Sequence, residues 1–188
     1  STSRGVAVLI IVSSVMNGFE QELKDRVLNV IPHASIYGLN PIDDWETVEI
    51  NLREDTNIRG ISPYIETEAL IKSKSAVAGV LVNGVIASKD KSVSVIHEFM
   101  QTGNFEKIQT SNNIVLGRLL ARKLNVDVGD KISLMLPDTS SSFAGYFPKS
   151  KVFNISGIFN IGSKDIDETL AYISLENASI LTGLKNQV

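Results

Sequence analysis

The 188-residue chain contains no cysteine, which excludes disulfide staples, thiolate zinc sites and cysteine nucleophiles together and leaves the redox compartment open. Histidine is nearly missing as well. His33 and His97 stand far apart, and neither has a metal-ligating partner three or four residues away, so both are read as structural or solvated side chains. The glycine pattern of dinucleotide sites and the phosphate loop are absent, and Gly79 to Gly84 lacks the lysine and hydroxyl residue that would hold phosphate. Any nucleotide chemistry therefore belongs to another chain, and no cofactor is expected. Paired carboxylates or a triad in a convincing context are also missing, which argues against a hydrolase. The cluster Asp165-Ile166-Asp167-Glu168 lacks the longer oxygen ladder and central glycine of a calcium loop and reads as a solvated turn. Neither sign of charge dominates: 18 Lys and Arg against 21 Asp and Glu give a net charge of −3, with no broad basic footprint for nucleic acid.

A long apolar run is lacking too. Val6 to Val12 is seven residues, whereas a bilayer core needs roughly 20. The run flows without proline into Val15-Met16-Asn17-Gly18-Phe19-Glu20, and it reads as the last turns of a membrane helix continuing into a polar one. An ordinary buried first helix or strand is the alternative. A signal peptide fits worse, since Arg4 alone supplies a basic end and no cleavage site follows.

What is present is an ordinary globular composition, 43% apolar and 21% charged, enough for one generous domain or two small ones. Phe19, Leu23, Val27, Val30 and Ile31 recur at helical spacing up to Pro32. A short strand over Ala34 to Leu39 follows, and then a helix capped by Asp43 or Asp44 through Trp45, Val48 and Leu52. Two or three strands are expected from the runs at 58–61, 65–72 and 76–87, and a helical or irregular stretch over 92–101. A strand at 114–116 leads to an exposed helix over 117–124 and a turn at Val128-Gly129-Asp130. Strands at 131–136, 151–160 and 170–174 and a helix at 175–181 complete an α+β pattern.

Connections between adjacent strands are usually two to five residues, and the stretch from Pro137 to Pro148 is far longer. It holds Phe143, Tyr146 and Phe147 among small residues such as Ser140 to Ser142 and Gly145. Two readings stay open. The aromatics fold back onto the domain, or the prolines stiffen the roots of a projecting arm whose aromatics anchor in a partner's groove. Lys149 and Lys151 flank the base, either solvated or placed to meet an acidic rim on that partner.

Several segments in order resemble one family. They are the apolar run before Val15-Met16-Asn17-Gly18-Phe19-Glu20, then Ile31-Pro32-His33-Ala34, Ile61-Ser62-Pro63-Tyr64, Val115-Leu116-Gly117, Val128-Gly129-Asp130-Lys131-Ile132 and Met135-Leu136-Pro137. The chain resembles the membrane subunits of lipoprotein-releasing ABC transporters, LolC and LolE with the merged LolF form, within the wider group of MacB-like extracytoplasmic domains. The resemblance implies a periplasmic domain, next to the bacterial inner membrane, of a transporter that lifts lipoproteins out and hands them to the carrier LolA. It implies a separate LolD-type ATPase and a second membrane subunit, identical or of the other type.

It further implies two subdomains: a mixed α/β unit at 16–74 with 164–188, and a mainly β unit at 75–163, with 1–15 as the end of a membrane helix. The hook of LolC-type members, a β-hairpin arm that enters the carrier's cavity and that LolE lacks in full, corresponds here to residues 137–148, which favours a LolC or LolF reading over LolE. Pro137, Pro148 and Phe143 stand at corresponding positions, Gly145, Tyr146 and Phe147 belong to the same expected docking segment, and Lys149 and Lys151 lie at its base, where Lys151 keeps the family's positive charge. This chain departs from the pattern at Ser133, where a basic residue is usual, at Ser150, where Gln is common, and in a hook about one residue shorter than usual. The resemblance also implies that the family's domain continues past Val188. A MacB-like exporter of peptides or toxins is the rival reading.

Overall fold

The computed structural model describes residues 34–37, 41–136, 149–184 and 187–188. The expected membrane-helix end at 1–15, the amphipathic helix from Val15 to Ile31, His33 and the whole of 137–148 lie outside the described residues.

The first described helix, α1 (Trp45–Leu52), starts where Asp44 caps it by accepting from the Thr47 N–H at 3.2 Å. Strands β1 (Tyr64–Lys72) and β2 (Val77–Val85) follow as an antiparallel pair, and a single turn, α2 (Ala87–Asp90), leaves β2. Next come β3 (Met100–Gly103), β4 (Asn113–Gly117), α3 (Arg118–Leu124), β5 (Lys131–Leu136) and β6 (Lys149–Phe159). The chain ends with α4 (Lys164–Thr169), β7 (Leu170–Ser174) and α5 (Leu175–Thr182). Two 3-10 helices, Ile96–Phe99 and Phe105–Gln109, flank β3.

Three expectations differ from this order. Residues 58–61 form no strand: Gly60 lies against the Ser92 carbonyl, where a Cβ would come within 2.3 Å. Residues 34–37 carry no strand either, and no strand among the described residues pairs with them. The helix at 118–124 forms as expected but is not an exposed one, because Leu120, Ala121 and Leu124 are buried.

The seven strands run in the order β3-β6-β4-β7-β2-β1-β5, and β5 pairs again with β6, so six of them close into a ring. Closure depends on the length of β6. Its first half pairs with β5, from Leu136↔Lys149 to Lys131↔Asn154, and its second half pairs with β3 on the same edge. Its other edge carries β4 in parallel, with a register shift between Ile114 and Val115 that leaves Ser156 without a partner in the ladder. The sheet thus takes β1 from the 16–74 segment, β7 from 164–188 and the other strands from 75–163.

Alternating residues on these strands point inward, where Ile71, Val82, Ile114, Leu116, Leu134 and Phe153 are fully buried. Helices α3 and α5 add Leu120, Leu124, Ala178 and Leu181 to the same core. A second core covers the outer side of β4 and β7. There Tyr172 meets Phe105 and Phe159 edge-on, at centroid distances of 5.4 and 6.0 Å. Helix α5 can sit close to β2 because position 84 is glycine, and it ends on Gly183, whose φ of +83° suits a residue without a side chain.

Candidate docking site at the β5–β6 connection

Leu136 and Lys149 face each other on the last rung of the antiparallel β5–β6 ladder, and the twelve residues 137–148 join them. Its two ends are therefore held side by side, on the pair of strands that closes the ring. The side chains at its base can be sorted by parity. Lys149 and Lys151 share the face of β6 that carries Phe153 and Ile155 into the core, whereas Ser150 and Val152 face outward.

Inward parity brings both lysines to α5. The Lys151 Nζ donates to the Asn177 side-chain oxygen at 2.6 Å and lies 5.9 Å from the Phe153 ring centroid. Its carbon stem runs along the edge of the core, as long cationic side chains do when only the head is polar. The Lys149 Nζ donates to the Thr182 carbonyl at 3.3 Å, at the negative end of α5. Neither ammonium has a carboxylate within ion-pair distance among the described residues.

The outer face beside the root is uncharged over most of its width. Leu70 stands opposite Met135, which stands opposite Ser150; Lys72 stands opposite Ser133, which stands opposite Val152. Leu70 is 49% exposed and Val152 54%, so this face offers apolar surface to solvent immediately below the connection. Ser133 and Ser150, the two residues at which the sequence departs from the resemblance beside the connection, both lie on it. Of the eight site residues expected from the sequence, the structure brings together Lys149 and Lys151; Pro137, Phe143, Gly145, Tyr146, Phe147 and Pro148 lie outside the described residues.

Asn177 was not singled out by the sequence. It is 5% exposed, and besides accepting a hydrogen bond from the Lys151 ammonium it donates to the Ser111 carbonyl at 3.1 Å. A polar residue on the core side of a helix otherwise facing Ala178 and Leu181 is the signal that marks it.

A second feature lies around α1. Glu49 is buried and pairs with Arg53 at 2.7 Å and with Lys89 of α2, and hydrogen bonds from Lys89 and then Arg53 hold its carboxyl below the usual range. A cavity of about 1020 Å³ opens there, lined by Trp45, Val48, Leu52, Ile58, Tyr64 and Leu184 among others. The acidic cluster at 165–168 proves to be part of α4, not a solvated turn. Asp167 is buried and accepts from the Ile161 and Gly162 N–H groups, both at 2.9 Å. No helix among the described residues is long and apolar enough to cross a membrane.

The model of the MacB-like periplasmic core domain family matches residues 3–187. The lipoprotein-releasing system transmembrane protein LolC of Xylella fastidiosa (strain 9a5c) is 34% identical over 175 residues, covering 92% of this chain and 42% of that protein. LolC of Neisseria meningitidis serogroup B is 34% identical over 189 residues, and LolE of Haemophilus influenzae 33% over 190, each covering 98% of this chain and 45% of the relative. The chain thus spans less than half the length of these relatives, and its similarity does not separate LolC from LolE. Among solved structures, the extracellular domain of the noncanonic ABC-type transporter YknZ from Gram-positive bacteria aligns with a TM-score of 0.53 at 11% identity. That alignment covers 76% of this chain and 67% of the other, and shows a shared fold. By the match over nearly its whole length, the chain belongs to the MacB-like periplasmic core domain family.

Proposed function

We propose that this chain is the periplasmic part of an inner-membrane permease subunit of a lipoprotein-releasing ABC transporter, and that its 137–148 connection docks a LolA-type carrier. The carrier receives lipoproteins drawn from the membrane, ATP is hydrolysed by a separate LolD-type subunit, and an identical or LolC/LolE-type membrane subunit completes the transporter. This chain acts as a docking and coupling module and catalyses no reaction. The observation that carries the reading is the twelve-residue loop set between Leu136 and Lys149, where a ladder this regular needs only two to five residues to turn. Surplus length with three aromatics, at the rim of a closed ring, suits an arm that enters an apolar cavity.

The physical task makes such an arm useful. Each buried methylene of an acyl chain contributes about 0.8 kcal/mol, so an acylated protein must pass between sheltered sites and not through water. Within this reading, the two-subdomain division of 16–74 with 164–188 against 75–163 follows the family architecture. Inside the ring β1 pairs with β2 and β5, and β7 with β2 and β4, which favours counting both strands with the β unit.

The test is calorimetric titration of this chain with a purified LolA-type carrier, beside a variant in which Ser140 to Tyr146 is replaced by Asn-Gly. Binding that vanishes on shortening is the expected result. Equal binding by both forms removes the arm from the interface, and no binding by either moves the reading to a LolE-like role or to another MacB-like exporter.

A further inference from the structure

We infer that α1 is a releasable strap on the closed ring and that Lys89 is its clasp, so that loss of one ion pair frees α1 while the ring stays folded. The inference does not depend on the docking role proposed above.

The strap is fastened at both ends. Ile42 and Val188 exchange two backbone hydrogen bonds, of 2.8 and 3.2 Å, and Gly60 lies against the Ser92 carbonyl. Between these points, residues 43–59 contribute no strand to the sheet. The apolar packing that seats α3 and α5 is missing from α1, whose one buried residue is a carboxylate, Glu49. Trp45, Val48 and Leu52 share a side of the helix by their spacing, yet they line the cavity and stay partly exposed. Eight residues make a helix that is marginal by itself, so α1 needs a tie from outside.

Lys89 supplies that tie. It stands on α2, where Ala87 and Asp90 are buried, so its backbone is firmly placed. Its ammonium donates to Glu49 Oε2 and lies 4.7 Å from the centroid of the Trp45 ring, joining two residues one turn apart on α1. Arg53 takes the other oxygen, Oε1, through Nε at 3.1 Å and Nη2 at 2.7 Å. That side chain is 64% exposed and caps the same helix, so it fastens α1 to nothing beyond itself. Among the described residues no other ion pair joins 41–62 to the chain beyond β1. A single polar hold of this kind opens without exposing the core that keeps the ring together.

The alternative is that Glu49 and Lys89 are a fixed part of the fold, in which case breaking the pair loosens the whole molecule. Locality separates the two. Trp45 is the only tryptophan of the chain, so its fluorescence reports on the strap alone. The experiment compares Lys89→Met, Glu49→Gln, the double variant and Arg53→Met in the full chain. In Lys89→Met, Trp45 emission is expected to move to the red and its quenching by acrylamide to rise. Amide exchange at 46–52 should quicken by at least about tenfold, the size of one lost charge-assisted hydrogen bond. Exchange in β2 and β7, and the urea midpoint followed by far-ultraviolet dichroism, should stay at the parent values. Glu49→Gln should act in the same way and the double variant no further, because all three break one pair. Arg53→Met should resemble the parent.

Parent-like emission and exchange at 46–52 in a folded Lys89→Met chain overturn the inference. So does quickening that spreads equally into β2 and β7, which assigns the pair to the fold as a whole. An Arg53→Met chain that frees α1 as fully as Lys89→Met also overturns it, since the hold then lies within the helix. Should Lys89→Met fail to fold, Glu49→Gln breaks the same pair from the strap's side and is judged by the same pattern. Failure of both to fold overturns the inference, because a releasable strap leaves the ring intact.

Discussion

The side chain of Ala178 lies directly over Gly84: a Cβ built on that glycine would stand 2.1 Å from the Ala178 Cβ. This contact sets how deeply α5 seats on β2, and with it the height of Asn177 beneath the start of β6. Gly84→Ala is expected to cost about 1–3 kcal/mol, the usual cost of overpacking a dense core. Adding Ala178→Gly should restore most of it by vacating the same space. Urea midpoints of the single and double variants measure this, and a double variant no better than Gly84→Ala would mean that the contact is relieved elsewhere.

A similar close fit holds the turn after β6. Asp167 turns a carboxylate into the protein to receive two backbone N–H groups, those of Ile161 and Gly162. Buried hydrogen bonds to a charged acceptor are worth about 1.5–3 kcal/mol each, so Asp167→Ala is expected to destabilise the fold by about 3 kcal/mol. Asp165→Ala, in the first turn of the same helix and exposed, should stay within about 0.5 kcal/mol of the parent. Equal effects at 165 and 167 would show that the bonds to Ile161 and Gly162 carry little of the stability.

These two residues show what the sequence displays and what it conceals. The strands at 64–72, 77–85, 131–136 and 170–174 are legible because β-branched and apolar residues alternate or bunch between turn signals. Asp167 is not, because nothing in a run of acids says which one turns inward. In α3 the charges of Arg118, Arg122 and Lys123 mask Leu120, Ala121 and Leu124, whose spacing is that of one buried face. Ring closure is hidden for another reason: the pairing of β5 with both β1 and β6 is a matter of tertiary contacts. At the candidate site the long connection was legible from its length and its prolines. The orientation of its lysines was available too, since Lys149 and Lys151 keep step with Phe153 and Ile155, but without the ring there was no way to know which face was the core.

Asp90 carries a pH dependence. It is 5% exposed, one carboxylate oxygen has no hydrogen-bond partner among the described residues, and burial pushes its carboxyl up from 3.8 to about 7. Between those values the unfolded chain has given up the proton that the folded chain keeps, so raising the pH favours unfolding. The stability linked to this group is therefore complete below about pH 4 and is lost as pH rises to about 7, by an amount on the order of 4 kcal/mol. Asp90→Asn should raise the urea midpoint at pH 8 and change it little at pH 4.5. Comparing variant with parent at each pH cancels the opposing acid titration of carboxylates such as Glu49, which Lys89 and Arg53 hold low. An equal shift at both values would mean that Asp90 ionises normally in the folded chain.

The docking role makes its most direct prediction at Phe143. An aromatic anchor that fills a partner's pocket carries about 1–3 kcal/mol, and loss of about 1.4 kcal/mol weakens binding tenfold. Phe143→Ala should thus weaken binding of a LolA-type carrier by roughly ten- to a hundredfold while leaving the urea midpoint of the chain in place. The unchanged midpoint matters, because a Phe143 folded back onto the domain would lose stability on truncation and lose affinity only through it. Val152→Ser supplies the comparison: it removes exposed apolar surface on the outer face below the connection, where a rim contact contributes little, so a several-fold effect at most is expected. A Phe143→Ala chain that binds as tightly as the parent would rule that side chain out as the anchor and leave Tyr146 and Phe147 as the next to truncate.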